Sequence, residues 1–459
     1  MKRAVLLACL LFGTLAAPAS AEVRQFSYSV GPVTVGPYQV KQGFLQGPQP
    51  ATEVGNGFVR SLEVDVTDGN GNPVPIRRLM LHHIVFLNLA RRDATCSAIT
   101  AWDSQTKLPG VERFYGAGEE RNKLVLPPGY GYKVNAGDPW AVNYMFMNHR
   151  NRVDKAYVTY RITYDTDPSL KPVKPYWLDV RNCLSDPVFD VPGGGEPRST
   201  HRRSKTFTFP EAGRIVAAGG HVHGGARSLD LRRADCKGRL IYRSRATWGM
   251  PSHPFYNVRP ILHEPGPIAM SGFISGQGYP VAKGERLRLD ARYDDHYVHT
   301  RVMGIMGVYL APDPSVQSRC GEAPSDVVQP PRPLGRHSPP AFKVPIVGMR
   351  GGRAADIAAP PGRRVRLRSG STIKVGSEFF RRANVSVGQG ARLRWLFGGD
   401  ALHNVTVANG PRGFSSMNLS GGRSFAKRLT KPGTYRLFCG LHPVTMTGTV
   451  KVLPKRRRR

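Results

Sequence analysis

Hydrophobic and polar residues alternate in short runs along most of this chain. The segments 58–66, 156–164 and 286–291 each place apolar side chains at nearly every second position, which is the period of a half-buried β-strand. Long runs with the period of an amphipathic helix are absent from the sequence. The 51 glycines and 39 prolines favour frequent turns between short strands. The pattern therefore predicts an all-β protein.

Composition divides the predicted strands into three units. The Pro-rich segment 324–340 is typical of a semi-rigid linker. It separates a large body from a smaller carboxy-terminal domain, and the glycine run at 193–195 indicates a weaker boundary within the body. We therefore predict β lobes at 22–190 and 191–320, a linker at 321–345, a further β domain at 346–454 and a basic tail at 455–459.

The amino terminus predicts export. Met1-Lys-Arg precedes an apolar run that ends at Ala19-Ser-Ala21, the pattern of a secretory signal peptide over residues 1–21. No later run of the sequence has the apolar length that a membrane span needs. We therefore expect an exported protein, whether secreted, periplasmic or held at the cell surface.

Cysteine usage agrees with an oxidising compartment. Cys9 would leave with the signal peptide, and five cysteines remain. If Cys439 binds a metal, as argued below, the other four form two disulfides. Three connectivities are open to them, and the sequence does not choose among Cys96, Cys183, Cys236 and Cys320.

The net charge of +34 is extreme. Nucleic acid is the usual partner of so basic a chain, but export and the absence of a nucleic-acid-binding motif argue against it. Attraction to an anionic cell wall or membrane surface is a better interpretation. The alternative is that the charge only reflects an arginine-rich composition.

Four residues near the carboxyl terminus have the chemistry of a blue-copper site. Cys439, His442 and Met446 follow one another closely, and His403 lies upstream. A thiolate, two imidazoles and a weak axial thioether are the ligands of type 1 electron-transfer copper. The alternating strand ends at Cys439, and Gly440 and Pro443 break it, so we expect His442 and Met446 to lie in the loop that follows the strand.

Residues 361–454 resemble the plastocyanin-like cupredoxins. The resemblance rests on His403-Asn-Val-Thr, on Gly433-Thr-Tyr-Arg-Leu-Phe-Cys439, on His442-Pro and on Met446-Thr-Gly-Thr-Val. It implies a Greek-key β-sandwich, with Asn404 tying the two ligand loops together.

The body carries a second set of metal-type residues. His82 and His83 are adjacent, His149 ends a predicted strand, and His221 and His223 are two apart. Residues i and i+2 of a strand share one face, so His221 and His223 can chelate one ion. Taken alone, each pair is weak evidence for a metal. No role is assigned to His253, His263, His296 or His299.

In their order along the chain, these residues resemble the ligands of the copper type II, ascorbate-dependent monooxygenases, the family of peptidylglycine and dopamine hydroxylases. The similarity covers roughly residues 55–312 at low identity, and it includes the segments that lead into His149 and follow Met303. It implies two jelly-roll-like β-sandwich lobes. It also implies an electron-storing copper on His82, His83 and His149, and a dioxygen-binding copper on His221, His223 and Met303. Met306 is the competing axial candidate.

Two departures from that family limit the inference. Its peptide-processing members hold the substrate carboxylate with an arginine two residues before His-x-His, where this chain has Gly219. The cysteine that follows their methionine ligand is Gly304 here. A peptide ending in glycine is therefore not supported as the substrate.

Two functions follow from these features. The first is an oxidoreductase, a copper monooxygenase that hydroxylates a C–H bond of an unidentified organic substrate with dioxygen. Its fused blue-copper domain would pass on electrons from a redox partner or a small reductant. The linker would raise the effective concentration of this domain at the body. The second is a non-catalytic copper carrier or electron-transfer protein built on the same scaffold.

Overall fold

The computed structural model describes residues 22–101 and 106–455. They are 54% strand and 2% helix, which confirms the prediction of an all-β fold. The predicted signal peptide and most of the basic tail lie outside the described residues. No helix in the described part of the chain is long and apolar enough to cross a membrane.

The first lobe contains twelve strands and the short helix α1 (Ala51–Val54). The strands are β1 (Val23–Val35), β2 (Val40–Gly47), β3 (Gly57–Thr67), β4 (Leu79–Arg92), β5 (Ala98–Thr100), β6 (Lys107–Pro109), β7 (Val111–Gly118), β8 (Leu124–Val125), β9 (Tyr130–Val134), β10 (Trp140–Asn148), β11 (Asp154–Asp165) and β12 (Lys171–Pro172).

Two sheets of this lobe enclose one core. One has the order β1-β11-β3-β9-β12, with β8 paired to β3, and the other has the order β2-β10-β4-β7. Alternate residues of the facing strands, such as Val64, Phe86 and Tyr160, are buried in the same cluster. This is the arrangement that the period-2 pattern requires.

The second lobe contains eleven strands and the short helix α2 (Pro254–Asn257). The strands are β13 (Lys174–Asp179), β14 (Phe189–Val191), β15 (Thr200–Thr208), β16 (Gly213–Val222), β17 (Ala226–Arg233), β18 (Arg239–Thr247), β19 (Ala269–Met270), β20 (Gly272–Val281), β21 (Arg286–Asp294), β22 (His299–Val302) and β23 (Gly304–Pro312).

The main sheets of the second lobe have the orders β13-β23-β16-β20 and β15-β21-β17-β18-β19, and β14 pairs with β22. Strand β13 begins before residue 190, yet it pairs along its length with β23. The second lobe therefore recruits chain that precedes the boundary expected from the glycine run.

The carboxy-terminal domain contains ten strands. They are β24 (Ile346–Arg350), β25 (Arg353–Ile357), β26 (Val365–Arg366), β27 (Thr372–Val375), β28 (Asn384–Gly388), β29 (Arg392–Phe397), β30 (Thr406–Asn409), β31 (Ser424–Arg428), β32 (Gly433–Cys439) and β33 (His442–Leu453).

Two mixed sheets of this domain, β26-β28-β33-β32-β30 and β27-β29-β31, enclose a core that includes Trp395, Tyr435 and Met446. Strands β24 and β25 form a separate antiparallel hairpin. Packing between the two mixed sheets buries the side chains that surround Cys439.

Two disulfides join distant parts of the body. Cys96 pairs with Cys183, and Cys236 pairs with Cys320. Two bridges were expected, and the structure selects one of the three open connectivities. Among the described residues, Cys439 is the cysteine outside these bridges, and it is buried.

The Pro-rich segment lies along the second lobe. Val328 pairs with Ile274 through backbone hydrogen bonds of 2.9 Å, and Arg336 pairs in the same way with Trp248. The hydroxyl of Ser275 donates to the Asp326 carboxylate. These bonds hold the segment against the body between its two ends.

The carboxy-terminal domain is docked directly on the second lobe. The Asp190 carboxylate accepts from the backbone N–H and the hydroxyl of Ser415, at 2.7 and 2.8 Å. The Thr300 hydroxyl donates to the Val407 carbonyl at 2.8 Å, and Arg301 donates to the Ser416 carbonyl at 3.1 Å. The two units therefore meet through specific polar contacts close to residue 403.

Candidate metal centres

The first candidate centre lies at one end of the carboxy-terminal sandwich. His403 precedes β30, Cys439 ends β32 and His442 begins β33. The Nδ1 atoms of His403 and His442 are 3.2 Å apart, and the Cys439 Sγ lies 3.7 Å from the His442 Nδ1. All three donor atoms lie within 4.8 Å of one another, close enough to bind one ion.

Asn404 holds the two ligand loops together. Its backbone N–H donates to the Cys439 Sγ at 3.4 Å, and its Oδ1 accepts from the Gly440 N–H at 2.8 Å. Met446 is fully buried in the same core as Cys439. The loop that supplies His403 is thereby fixed to the loop that supplies Cys439 and His442.

Electrostatics at this site favour a bound cation. Burial raises the pKa of the Cys439 thiol, so the thiolate needs a compensating positive charge. Burial, together with the neighbouring His442, lowers the pKa of His403 to about 4, which keeps this imidazole neutral. Neutral imidazoles beside a thiol that a metal can deprotonate are what a copper ion requires.

The second candidate centre gathers histidines from both body lobes. His82 and His83 lie on β4 of the first lobe, whereas His221 is on β16 of the second lobe and His223 follows that strand. The ring centroids of His82 and His223 are 5.1 Å apart, and those of His221 and His223 are 5.2 Å apart. Histidines from the two predicted ligand sets therefore meet in one cluster at the lobe boundary.

Several ring nitrogens of this cluster are buried without a partner among the described residues. They are Nδ1 of His83 and Nε2 of His149, His221 and His223. An unpaired buried polar atom costs roughly 1–3 kcal/mol, so four of them near one another need a further explanation. Bound cations would satisfy all four, and copper suits imidazole ligands.

Burial also keeps most of these imidazoles in the neutral form that binds a metal. It lowers the pKa of His82 and drives the pKa values of His83 and His223 well below their ordinary range. The pKa of His149 falls to about 4 for the same reason. His221 differs, because the Glu120 carboxylate outweighs burial and raises the pKa of this imidazole.

Adjacent carboxylates on the turn after β7 orient one histidine from each lobe. Glu119 Oε1 lies 3.0 Å from the His82 Nδ1, and Glu120 Oε1 lies 3.0 Å from the His221 Nδ1. A carboxylate on Nδ1 fixes the tautomer and directs Nε2 away from it, as outer partners of metal-binding histidines do. Neither glutamate was predicted to belong to the site, because two adjacent glutamates in a sequence do not indicate two separate histidine partners.

His263 is a further member of the cluster that sequence analysis left without a role. Its Nε2 contacts the Glu119 Oε1, and its ring centroid lies 4.6 Å from that of His82. Together with His82 and Glu119 it forms a group of donor atoms within 4.8 Å. His263 lies in the irregular segment between α2 and β19, where no strand period could have drawn attention to it.

His149 reaches the same region by a different route. It directly follows β10, and its Nδ1 lies 2.9 Å from the Pro260 carbonyl. That contact fixes the ring and leaves Nε2 buried and free to bind. Since β10 is the neighbour of β4 in the sheet, His149 emerges from the strand next to the one that carries His82 and His83.

The two methionine candidates have different surroundings. Met306 is fully buried among Leu178, Val308 and the other core residues of the second lobe. Met303 sits between β22 and β23, and it lines two cavities that His83 also lines. The position of Met303 favours it over Met306 as the thioether ligand.

The fold and these clusters define an all-β protein with cupredoxin-type and histidine-rich candidate copper centres. No family model matches the chain. It is 26% identical over 291 residues to probable copper-dependent oxygenase M1 of Phoma sp., covering 60% of this chain and 67% of the relative. It is 28% identical over 227 residues to probable copper-dependent oxygenase clz3 of Cochliobolus lunatus, covering 47% and 64%. The names of these relatives support the prediction that this chain is an oxidoreductase and that it uses copper.

Solved structures of amicyanin match a smaller part of the chain. A reduced amicyanin variant is 21% identical and covers 18% of this chain and 80% of its own, with a TM-score of 0.17. A copper(I) form of another variant is 22% identical with the same coverage and TM-score.

Proposed function

We propose that this chain is an exported copper-dependent monooxygenase with a built-in blue-copper electron carrier. The observation that carries the proposal is the interlobe cluster, in which four buried imidazole nitrogens have no partner among the described residues. The names of both oxygenase relatives support copper and oxygen chemistry. The thiol, imidazoles and thioether at the third domain support electron transfer.

Within the cluster we assign His82, His83 and His149 to an electron-storing copper and His221, His223 and Met303 to the copper that binds dioxygen. Copper, when bound, supplies one-electron redox chemistry and activation of dioxygen. The overall reaction inserts one oxygen atom into a substrate C–H bond and releases the other as water. It consumes two electrons, delivered one at a time by a redox partner or a small reductant, and two protons.

The chain's own residues hold this arrangement in place. Glu119 and Glu120 fix the tautomers of His82 and His221, and the Pro260 carbonyl fixes His149. Burial lowers the pKa values of the four proposed histidine ligands other than His221, so protons compete only weakly with a metal for their ring nitrogens. Met303 adds a thioether, which favours the reduced ion.

The position of the third domain supports direct electron delivery. A small cavity of about 80 Å³ is lined by residues of both the third domain and the histidine cluster. Asn404, Gly440 and Leu441 of the blue-copper domain line one side of it, and His83 and Met303 line the other. Because Asp190 and Arg301 already dock the domain here, no large movement is needed to bring the centres together.

The experiment for this proposal is dioxygen consumption by the copper-loaded full chain with a reductant and a broad substrate panel. We expect uptake above that of a His221→Ala, Met303→Ala double variant, with release of hydroxylated product. Equal uptake by both proteins would contradict the proposal. Equal uptake would instead favour a non-catalytic copper carrier. The close and buried packing of the histidines is also consistent with that role.

The remaining parts of the proposal concern location and surface charge. The predicted signal peptide and the two disulfides support export into an oxidising compartment. The net charge of +34 supports attachment to an anionic cell-wall surface. Such attachment is tested by release from cell-wall material in rising salt, since screening weakens it.

A further inference from the structure

A large cavity lies between the two body lobes, beside the histidine cluster. It has a volume of about 1280 Å³. Its walls come from the sheet of β2, β10, β4 and β7 and from the facing sheet of β13, β23, β16 and β20. His83, His221 and Met303 form part of this wall, so a molecule in the cavity lies against the proposed ligands of both body coppers.

The wall is mainly apolar away from the histidines. Ile84, Tyr115 and Leu124 line it from the first lobe, and Trp177, Phe273 and Ile305 line it from the second. Phe44, Leu89 and Leu108 also line it, although each is among the large hydrophobic side chains that stay exposed. Apolar residues left exposed at the border of a concave apolar pocket indicate a ligand site.

The charged residues of the wall are occupied by partners on the protein. Arg113 donates to Asp93 at 2.7 Å, Lys123 lies 3.2 Å from Glu63, and Arg121 pairs with Asp65. Arg332 donates to the Thr247 hydroxyl at 2.8 Å. Glu120 and Asp186 are held by His221 and Arg301. Every charged residue of the wall except Arg332 therefore has an oppositely charged partner among the described residues, and Arg332 donates only to neutral oxygens of Arg245 and Thr247.

Gly219 keeps this space open. It lies on β16 two residues before His221 and lines the cavity. A Cβ placed on Gly219 would meet nothing within 4 Å. Any side chain at this position would project into empty space, so its absence enlarges the cavity directly beside a proposed copper ligand.

We infer that the substrate is an uncharged, mainly apolar organic molecule that binds in this interlobe cavity. This inference rests on the proposed function only in treating the bound molecule as the substrate, because binding itself needs no copper. Apolar contacts would supply most of the affinity. The C–H bond to be oxidised would lie against the part of the wall formed by His83, His221 and Met303.

The test is binding of N-phenyl-1-naphthylamine, an uncharged apolar fluorophore, to the full chain. We expect saturable binding with energy transfer from Trp177, weakened about tenfold or more by Gly219→Phe. Gly388→Phe is the matched control, since Gly388 is an exposed strand glycine with equally open space. Phe44→Asp at the exposed border should also weaken binding, and it serves if Gly219→Phe does not fold.

Competition tests the uncharged class. At about 0.3 M salt, where surface attraction is screened, octan-1-ol should displace the fluorophore at lower concentration than octanoate. Preference for octanoate, or equal binding by wild type and both cavity variants, would overturn the inference. Failure of the oxygenase proposal has a separate sign, because dioxygen uptake would be lost while saturable binding persisted.

Discussion

The imidazole rings of His82 and His223 lie 5.1 Å apart between their centroids, although they belong to different lobes. Sheet packing across the lobe boundary produces this approach, and Glu119 and Glu120 fix histidines on either side of it. The proposed copper ligands of the body therefore form a joint site. A substitution near the histidines of one lobe should therefore also weaken metal binding by the histidines of the other lobe.

The carboxylates at 119 and 120 test this coupling. Replacing Glu120 with Ala removes the partner of the His221 Nδ1, and we expect copper affinity at the body to fall about 10–100-fold. Glu120→Gln keeps an acceptor and should retain most of the affinity. Glu63→Gln, on the surface of β3, is the control. The measurement is copper(I) titration against a competing chelator, and unchanged affinity in Glu120→Ala would exclude this role.

Met303 and Met306 make a matched pair of substitutions. Each changed to Leu conserves volume, so the loss of folding stability should stay below about 1.5 kcal/mol in both. Only Met303→Leu removes the proposed thioether ligand, and it should weaken copper(I) binding and alter the X-ray absorption signal of sulfur ligation. The opposite pattern, with Met306→Leu affected, would transfer the ligand role to Met306.

Arg301 links the second lobe to the proposed blue-copper site. It donates to the Asp186 carboxylate at 2.6 Å and to the Ser416 carbonyl at 3.1 Å. Its positive charge opposes the burial that raises the pKa of Cys439. Arg301→Gln should therefore lower the reduction potential of the blue copper, on the order of tens of millivolts.

Voltammetry of the full chain measures that potential. Arg394→Gln, at an exposed position of β29, is the control and should leave it unchanged. Arg301→Gln should also slow electron transfer from the blue copper to the body, because it removes a docking contact. An unchanged potential together with an unchanged transfer rate would exclude both roles of Arg301.

His299 predicts a pH dependence of stability. Burial opposes its charge, but Glu264, at 2.8 Å from its Nδ1, and Asp294 raise the pKa of this histidine to about 9. Its protonation stabilises the fold fully below the unfolded pKa of about 6.5, and this contribution is lost as pH rises through about 9. The upper bound is on the order of 3 kcal/mol.

Thermal unfolding of wild type and His299→Gln at several pH values measures this contribution. The difference between the two proteins should be largest below pH ~6.5 and shrink toward pH ~9. A difference that stays constant over this range would show that His299 does not titrate there.

The sequence predicted residues whose patterns are local. Alternation in 58–66, 156–164 and 286–291 predicted strands that the structure contains as parts of β3, β11 and β21. Cys439, His442 and Met446 were recognisable because they lie close together in the sequence. The expectation that His442 and Met446 lie in the loop after the Cys439 strand was wrong, because the chain turns back at Gly440 and both residues lie on β33. The distance between His82 and His223 was not predictable, because it depends on how two lobes pack.

Glu119, Glu120 and His263 were missed for the same physical reason. Each acts through partners far along the chain, and none lies on a repeating pattern. The position of Met306 illustrates the opposite case. Strand geometry separates residues three apart onto opposite faces, and the structure places Met306 in the core while Met303 lines the cavities.

Copper content per chain distinguishes a protein with three copper sites from one with a single site. We expect about three copper ions per folded chain, with a visible thiolate-to-copper band in the oxidised form. Cys439→Ser should remove one ion and the band, whereas His82→Ala with His221→Ala should remove the body copper and keep the band. One ion per chain, lost entirely in Cys439→Ser, would contradict the account.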